Sequence, residues 1–357
     1  MKFLLDDEQT AFGRTLDRML AAADTPAAVR AWGAGDTGPG KALWKRIADA
    51  GVFALAVPEK YEGMGPLPVE LAVAFVELGR HAVPGPLVET VAASVLLGGP
   101  AGCADSAAAD RWLPRLASGG AMASLAMPAG GPYALDMDTA DVTFVVTDAG
   151  AAAGSFGGQE QGRGGAELHA ASGHGAVQPS VDPARRLAVP HIAGGVPLVS
   201  GADVGAAART AADWAAFATA AQALGVGLAL VEQTVAYAKQ RTQFSTTIGA
   251  FQAVKHRLAD ALTGLEFARP LVHGAAVALA GKSPDTGADV AAAKVAAGEA
   301  AYAAARTALQ LHGAIGYTAE YDLSLWIRKA RALRSAWGSP SACRARVLAR
   351  PGAQPGV

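Results

Sequence analysis

The chain has 357 residues, 51% of them hydrophobic, so it can bury a large core divided among two or three domains. Thirty Lys and Arg against 31 Asp and Glu leave a formal net charge of -1, which argues against nucleic acid or an anionic membrane as the main partner. Cys103 and Cys343 lack the spacing of metal ligands, and no metal site is predicted. No apolar run has signal or membrane-spanning length, so we expect a cytoplasmic protein without a membrane span.

Helical periodicity dominates the first third of the chain and predicts an N-terminal helical domain over residues 1–118. The individual helical patterns cover residues 6–20, 41–50, 67–79, 86–97 and 110–118.

A change of composition follows at residue 119. Gly and Pro cluster between residues 119 and 203, and the helical period gives way to short β-like runs, which predict a reduced middle β domain. These runs cover residues 121–126, 141–147, 167–171 and 187–190. Residues 149–165 are mostly Gly, Ala, Ser and Gln and are predicted to be loop or disorder.

From residue 204 to 357 the helical period returns and predicts a C-terminal four-helix bundle. Its four patterns cover residues 206–240, 249–280, 286–312 and 318–336. A polar loop, Arg241 to Gln252, connects the first two of these helices. An Arg with five fixed donors beside Thr, Gln and Ser side chains suits a phosphate or pyrophosphate, whereas composition alone favours an ordinary solvated turn.

Three stretches of the chain form a pattern that is specific in combination. The first runs from Leu43-Trp44 through Ala50-Gly51-Val52-Phe53 to Pro58-Glu59-Lys60-Tyr61-Glu62-Gly63-Met64-Gly65, and the second is the polar loop. The third is Gln310-Leu311-His312-Gly313-Ala314-Ile315-Gly316-Tyr317, followed by Leu325-Trp326-Ile327-Arg328. Together these stretches resemble the acyl-CoA dehydrogenase family. The resemblance implies the family's fold, with an N-terminal helical domain, a middle β-barrel domain and a C-terminal four-helix bundle, and an FAD-dependent α,β-desaturation of an acyl-CoA thioester.

The resemblance also implies which residues bind the cofactor. In family dimers FAD lies across the subunit interface, and the ADP half is held by the neighbouring subunit's loop and glycine turn. The residues of this chain at those positions are Arg241, Gln243, Phe244, Gln252, Gln310, Leu311 and Gly313. Their chemistry agrees, since an arginine fork suits pyrophosphate and glycine allows close backbone approach.

The family's catalytic base is missing from both places where members carry it. Trp337 stands at the commoner position, and an indole cannot take a carbon-bound proton. Ala215 stands at the alternative position on the first bundle helix. Asp213 lies two residues earlier, which on a helix turns it about 200° away.

The flavin-ring loop of the family is also altered. The aligned segment, Ala126-Met127-Pro128-Ala129-Gly130-Gly131-Pro132, keeps a proline and glycines but lacks the hydroxyls and the acid. The resemblance is therefore to the small, base-lacking subunit of heteromeric (α2β2) actinobacterial acyl-CoA dehydrogenases. Such a subunit would share FAD across an interface with a second dehydrogenase subunit, meet the acyl-CoA through that partner, and serve an electron-transfer acceptor.

Two alternatives remain open on the sequence. One is a self-sufficient dehydrogenase or oxidase with a relocated base, for which Asp213 is the candidate. The other is a scaffold of the same fold that has lost the cofactor.

Overall fold

The structure is a computed structural model and describes residues 4–99, 103, 106–148, 165–193, 196–281 and 283–350. Its helices are α1 (Asp7–Ala21), α2 (Thr25–Gly33), α3 (Gly38–Asp49), α4 (Pro68–Arg80), α5 (Leu87–Gly98), α6 (Ala107–Ala117), α7 (Ala202–Gln240), α8 (Gln252–Gly281), α9 (Thr286–His312), α10 (Leu323–Leu333) and α11 (Pro340–Leu348). Its strands are β1 (Ala123–Ala126), β2 (Ala134–Leu135), β3 (Val142–Asp148), β4 (Ala166–Ala170), β5 (Gly173–His174), β6 (Leu187–Ala188), β7 (Pro190–His191), β8 (Val199–Gly201), β9 (Thr242–Gln243) and β10 (Thr246–Thr247).

The order of helices, then short strands, then long helices confirms the predicted fold class. The pattern over residues 286–312 coincides with α9. Helix α2 was not predicted, and the apolar run after Gly51 forms a 3-10 turn, Phe53–Ala56. Residues 149–164 of the predicted loop lie outside the described residues.

One compact unit comprises Met1–Val29, Ala72–Val83 and Ala216–Val357. Within it α8, α10 and α11 all pack against α9. Helices α4 and α7 cross so closely that a Cβ on Gly225 would lie 1.9 Å from the Val76 carbonyl oxygen, and one on Gly79 would lie 2.1 Å from that of Gln222. Glycine at both positions therefore permits this crossing.

The second compact unit comprises Arg30–Leu71 and Pro84–Ala215 and contains the β region. Its largest sheet has the order β1-β3-β4-β8, in which β1 and β3 are parallel and the other pairs antiparallel. Trp44 stacks on Phe53 at 4.1 Å, and the Trp44 Nε1–H donates to the Gly119 carbonyl at 3.0 Å. These contacts join the early helices to the start of the β region.

Among the described helices, α7 has the length and hydropathy of a membrane span. However, 94% of its apolar window is buried inside the protein, as expected for a core helix.

Candidate functional site

The polar loop after α7 forms a short β-hairpin. Strands β9 and β10 pair antiparallel, and the two residues between them, Phe244 and Ser245, have φ of 52° and 63°. Two central residues with positive φ are typical of tight hairpin turns, but a bulky residue adopts this conformation at a cost. Phe244 is 90% exposed and makes an edge-to-face contact with Phe251 at 6.4 Å. The hairpin therefore presents an aromatic ring to solvent.

The glycine segment follows directly after α9. Gly313 has φ 64° and ψ -138°, a conformation that essentially only glycine adopts. A Cβ placed on it would meet nothing within 4 Å, so its backbone is open to an approaching group. Ala314, in the place of the family's second glycine, lies exposed in the 3-10 turn Gly313–Tyr317.

An aromatic stack brings the loop and the glycine segment together. The His312 ring stacks on Tyr237 at 4.0 Å and meets Tyr321 at 5.4 Å. The Arg241 N–H donates to the Tyr237 carbonyl at 2.9 Å, so the arginine begins one helical turn beyond the stack. Burial lowers the pKa of His312, and its Nδ1 lies 2.8 Å from the Ala308 carbonyl. The ring is therefore neutral near pH 7, with the proton on Nδ1.

One basic residue of this surface, Arg257, was not among the predicted cofactor residues. The Arg257 Nη1 donates a hydrogen bond to Oε1 of Gln310, which links the start of α8 to the end of α9. Within the described chain neither Arg241 nor Arg257 has a carboxylate partner. Residues 239–260 contain four Lys or Arg and one Asp, an imbalance that could have signalled an anion site.

The remaining expected cofactor residues lie on the same two segments. Gln243 and Phe244 are in the hairpin, Gln252 is the first residue of α8, and all three are exposed. Gln310 is exposed and Leu311 half-buried in the last turn of α9. Exposed amides, an unneutralised guanidinium and an open glycine backbone fit the ADP half of FAD.

Both expected base positions are occupied without a carboxylate. Ala215 is fully buried in α7, and Asp213, two residues earlier, is half-buried. Trp337 lies in the turn between α10 and α11 with φ 52°.

A buried cation supports the turn that contains Trp337. Lys294 is 1% exposed, and its Nζ donates to the carbonyls of Leu333, Arg334 and Gly338 at 3.1, 3.2 and 3.1 Å. The C-terminal end of α10 is a favourable place for a positive charge because the helix dipole is negative there. Lysine thus fixes this turn from within the protein.

The segment aligned with the flavin-ring loop continues from β1. Met127 is buried, Pro128–Gly130 forms a 3-10 turn, and Gly131 has φ 86°. From Ala126 to Pro132 no side chain offers a hydroxyl or a carboxylate.

A His–carboxylate cluster lies elsewhere in the helical unit, although no metal site was predicted. The ligand atoms of Asp17, Glu77 and His81 lie within 4.8 Å of one another. His81 pairs with Asp17 at 2.8 Å, and the Arg80 Nε lies 3.4 Å from Glu77. A guanidinium this close opposes a metal cation, so we interpret the cluster as an ion-pair network.

Comparison with known families identifies the fold. Residues 6–120 match the N-terminal domain and residues 205–350 the C-terminal domain of acyl-CoA dehydrogenases. The chain belongs to the acyl-CoA dehydrogenase family. This membership supports FAD as the cofactor, flavin-dependent oxidation as the reaction class, and a place in lipid or steroid degradation.

Individual relatives agree over nearly the whole chain. Acyl-CoA dehydrogenase IpdE2 of Mycobacterium tuberculosis is 33% identical over 337 residues, covering 94% of each chain. A chain of the ChsE4-ChsE5 complex of the same organism superposes with a TM-score of 0.81 at 22% identity, covering 100% of both chains. A glutaryl-coenzyme A dehydrogenase in complex with glutaryl-CoA gives 0.79 at 22% identity, covering 99% of this chain and 98% of that one.

Proposed function

We propose that this chain is the base-lacking subunit of a heteromeric, FAD-dependent acyl-CoA dehydrogenase. The observation that carries the proposal is an asymmetry. The surface suited to the ADP half of FAD is intact around Arg241 and Gly313, whereas Trp337 and Ala215 occupy the base positions. A chain with only one half of the site complements a subunit that holds the other half.

In this proposal each residue of the surface contacts the ADP half. Arg241 donates to the pyrophosphate, and the amides of Gln243, Gln252 and Gln310 hydrogen-bond the ribose and adenine. Phe244 presents an exposed aromatic ring to the ADP half, and the backbone of Leu311 and Gly313 contacts it closely. FAD, when bound, supplies the hydride acceptor for desaturation. The partner supplies the base, the ring-binding loop and the pocket for the acyl-CoA.

The exposed face of α8 supports a partner subunit. Phe267 and Leu271 lie four residues apart on one side of this helix, and Phe267 is 73% exposed. Leu262 lies on the other side of the buried stripe and lines a separate groove of about 570 Å³ with Leu228 and Val231 of α7. Neighbouring exposed apolar side chains are a feature of protein interfaces. The groove extends to Lys239 and Gln240, directly before the polar loop, so a subunit bound there would reach the cofactor surface.

One of the relatives supports an assembly of unlike subunits. The ChsE4-ChsE5 structure is a complex, and IpdE2 is an acyl-CoA dehydrogenase. By analogy the partner oxidises a bulky acyl-CoA, such as a steroid side-chain thioester, within a dimer of heterodimers. The electrons then pass to an electron-transfer acceptor protein.

Flavin content tests the proposal. The chain purified alone should show little flavin absorbance, and co-purification with a dehydrogenase subunit that keeps the glutamate and the ring loop should give stoichiometric FAD. Arg241→Ala should remove FAD from that complex, while Arg14→Ala, a charge-matched change at an exposed position of α1, should not.

Two results would contradict the proposal. Stoichiometric FAD and turnover from this chain alone would favour a self-sufficient enzyme, and Asp213→Asn would then show whether Asp213 is its base. Full FAD in the Arg241→Ala complex would favour the scaffold alternative.

A further inference from the structure

Arg257 lies in the second turn of α8 and is exposed. We propose that Arg257 is a second phosphate-binding residue of the cofactor surface and that Gln310 positions its guanidinium. This inference rests on the proposed function and extends it to a residue and a ligand group. The ligand class is a nucleotide with two adjacent phosphates.

Two arginines are linked to the segment from Gln310 to Gly313, one through its side chain and one through its backbone. Arg257 contacts the segment directly, because its Nη1 donates to Oε1 of Gln310. The backbone of Arg241 follows Tyr237 by one turn, and the Tyr237 ring stacks at 4.0 Å on His312. The Arg257 guanidinium therefore lies at this short stretch of chain, close in sequence to the open backbone of Gly313.

The positive charge at this place is uncompensated inside the chain. Within the part of the chain that the structure describes, neither Arg241 nor Arg257 pairs with a carboxylate. By contrast Arg269, further along α8, forms a 2.8 Å ion pair with Glu266. Residues 239–260 contain Lys239, Arg241, Lys255 and Arg257 against Asp260 alone, in a chain whose net charge is -1. A local excess of positive charge without a counter-ion favours a bound anion.

The hydrogen bond to Gln310 decides which atoms remain for the ligand. The side-chain carbonyl oxygen of Gln310 accepts from Arg257, so the amide N–H groups of Gln310 are directed elsewhere and can donate to a ligand. The Arg257 guanidinium has five N–H donors and uses one of them in the hydrogen bond to Gln310. This bond positions the guanidinium and leaves the other donors available to a phosphate. One fork binds one phosphate in a bidentate manner, so two forks match a diphosphate better than a monophosphate.

Arg257→Gln in the co-purified complex tests the inference, with ADP and adenosine as competitors of FAD rebinding. A lost charge-assisted hydrogen bond should weaken FAD and ADP binding by about ten-fold or more and leave adenosine unchanged. Arg257→Lys keeps the charge but loses the two-pronged guanidinium, so its affinity for FAD and ADP should lie between those of the wild type and Arg257→Gln. Arg14→Gln serves as the control, and size-exclusion chromatography monitors assembly.

Each other outcome overturns the inference in a distinguishable way. If Arg257→Gln binds ADP normally while Arg241→Ala loses FAD, Arg257 does not bind phosphate and the proposed function stands. If neither substitution affects FAD, the proposed function falls as well. If Arg257→Gln and Arg257→Lys both prevent assembly, or if adenosine binding falls with ADP binding, Arg257 has a structural role instead.

Discussion

The side chains of the proposed cofactor surface are held by neighbours that carry no charge. Tyr237 and Tyr321 hold His312, and Gln310 holds Arg257. A neutral support leaves the charge of each arginine available to a ligand, whereas a carboxylate partner would consume it. The side chains of this surface are therefore positioned without using the positive charge that would bind an anion.

Asp136 is a buried carboxyl group of the β-containing unit with a distinctive environment. Its Oδ1 accepts from the Trp32 indole at 3.1 Å and from the Arg186 N–H at 3.3 Å, while its buried Oδ2 has no hydrogen-bond partner among the described residues. Burial raises the pKa of Asp136 to about 7, against the lowering effect of the Trp32 hydrogen bond. The folded state therefore binds this proton more tightly than the unfolded chain.

The raised pKa predicts a pH dependence of stability. Because the ordinary pKa of an aspartate is 3.8 and that of Asp136 in the folded protein is about 7, the contribution of Asp136 is fully present below pH 4 and is lost as the pH rises through 7. Asp136→Asn keeps the Oδ1 acceptor and cannot ionise. The free energy of unfolding of the variant, from urea denaturation between pH 4 and 8, should fall less with rising pH than that of the wild type, by a difference of about a few kcal/mol. Parallel curves would contradict this expectation, and Asp110→Asn, at an exposed position of α6, is the control.

At the scale of elements, much of the helical fold was readable because apolar residues recur at the helical period. Helix α9 was predicted with its observed ends. Helix α2 was not predicted because it is only 9 residues long and has Pro26 and Gly33 near its ends. The hairpin was not predicted because its turn residues, Phe244 and Ser245, are not the Gly or Asn that usually indicate positive φ.

The assembly of the site could be predicted only in part. The resemblance supplied the positions of Arg241, Gln310 and Gly313, but contacts between residues distant in sequence leave no local pattern. The stack of Tyr237 on His312 and the hydrogen bond from Arg257 to Gln310 are of this kind. Both depend on how helices pack, which periodicity does not specify.

The close crossing of α4 and α7 gives a prediction about glycine. Gly225→Ala would place a Cβ 1.9 Å from the Val76 carbonyl oxygen, so the helices must separate. Overpacking of this kind costs about 1–3 kcal/mol, more than the roughly 0.5–1 kcal/mol that alanine gains over glycine in a helix. Thermal unfolding should therefore show a lower midpoint.

A second glycine provides the matched control. A Cβ on Gly264 of α8 would meet its nearest atom, Cβ of Ala300, at an ordinary 3.6 Å. Gly264→Ala should therefore leave the midpoint unchanged or raise it. Equal effects of the two substitutions would show that the crossing is looser than the contacts indicate.

At the scale of the whole molecule, charge and apolar surface are unevenly distributed. A chain with a net charge of -1 concentrates positive charge in residues 239–260 and exposes Phe267 on the helix that follows. The same region thus combines an anion-binding surface with an apolar one. Both are needed if the cofactor lies where two subunits meet.

Phe267→Asp separates folding from assembly. The side chain is 73% exposed, so the isolated chain should keep its thermal midpoint, whereas the complex with the partner subunit should weaken by at least about ten-fold if the ring is buried there. Analytical ultracentrifugation measures the association. Leu348→Asp on α11, at a side chain 76% exposed, is the control. Unchanged association of Phe267→Asp would exclude this face of α8 from the interface.

The hairpin also bears on the kinetics of assembly. Its paired strands and its turn residues, both held at positive φ, mean that the loop is ordered in the single chain. A segment that is ordered before it meets its partner loses little conformational entropy on association, so more of the contact energy appears as affinity. The association rate should then be set by diffusional encounter rather than by ordering of the loop.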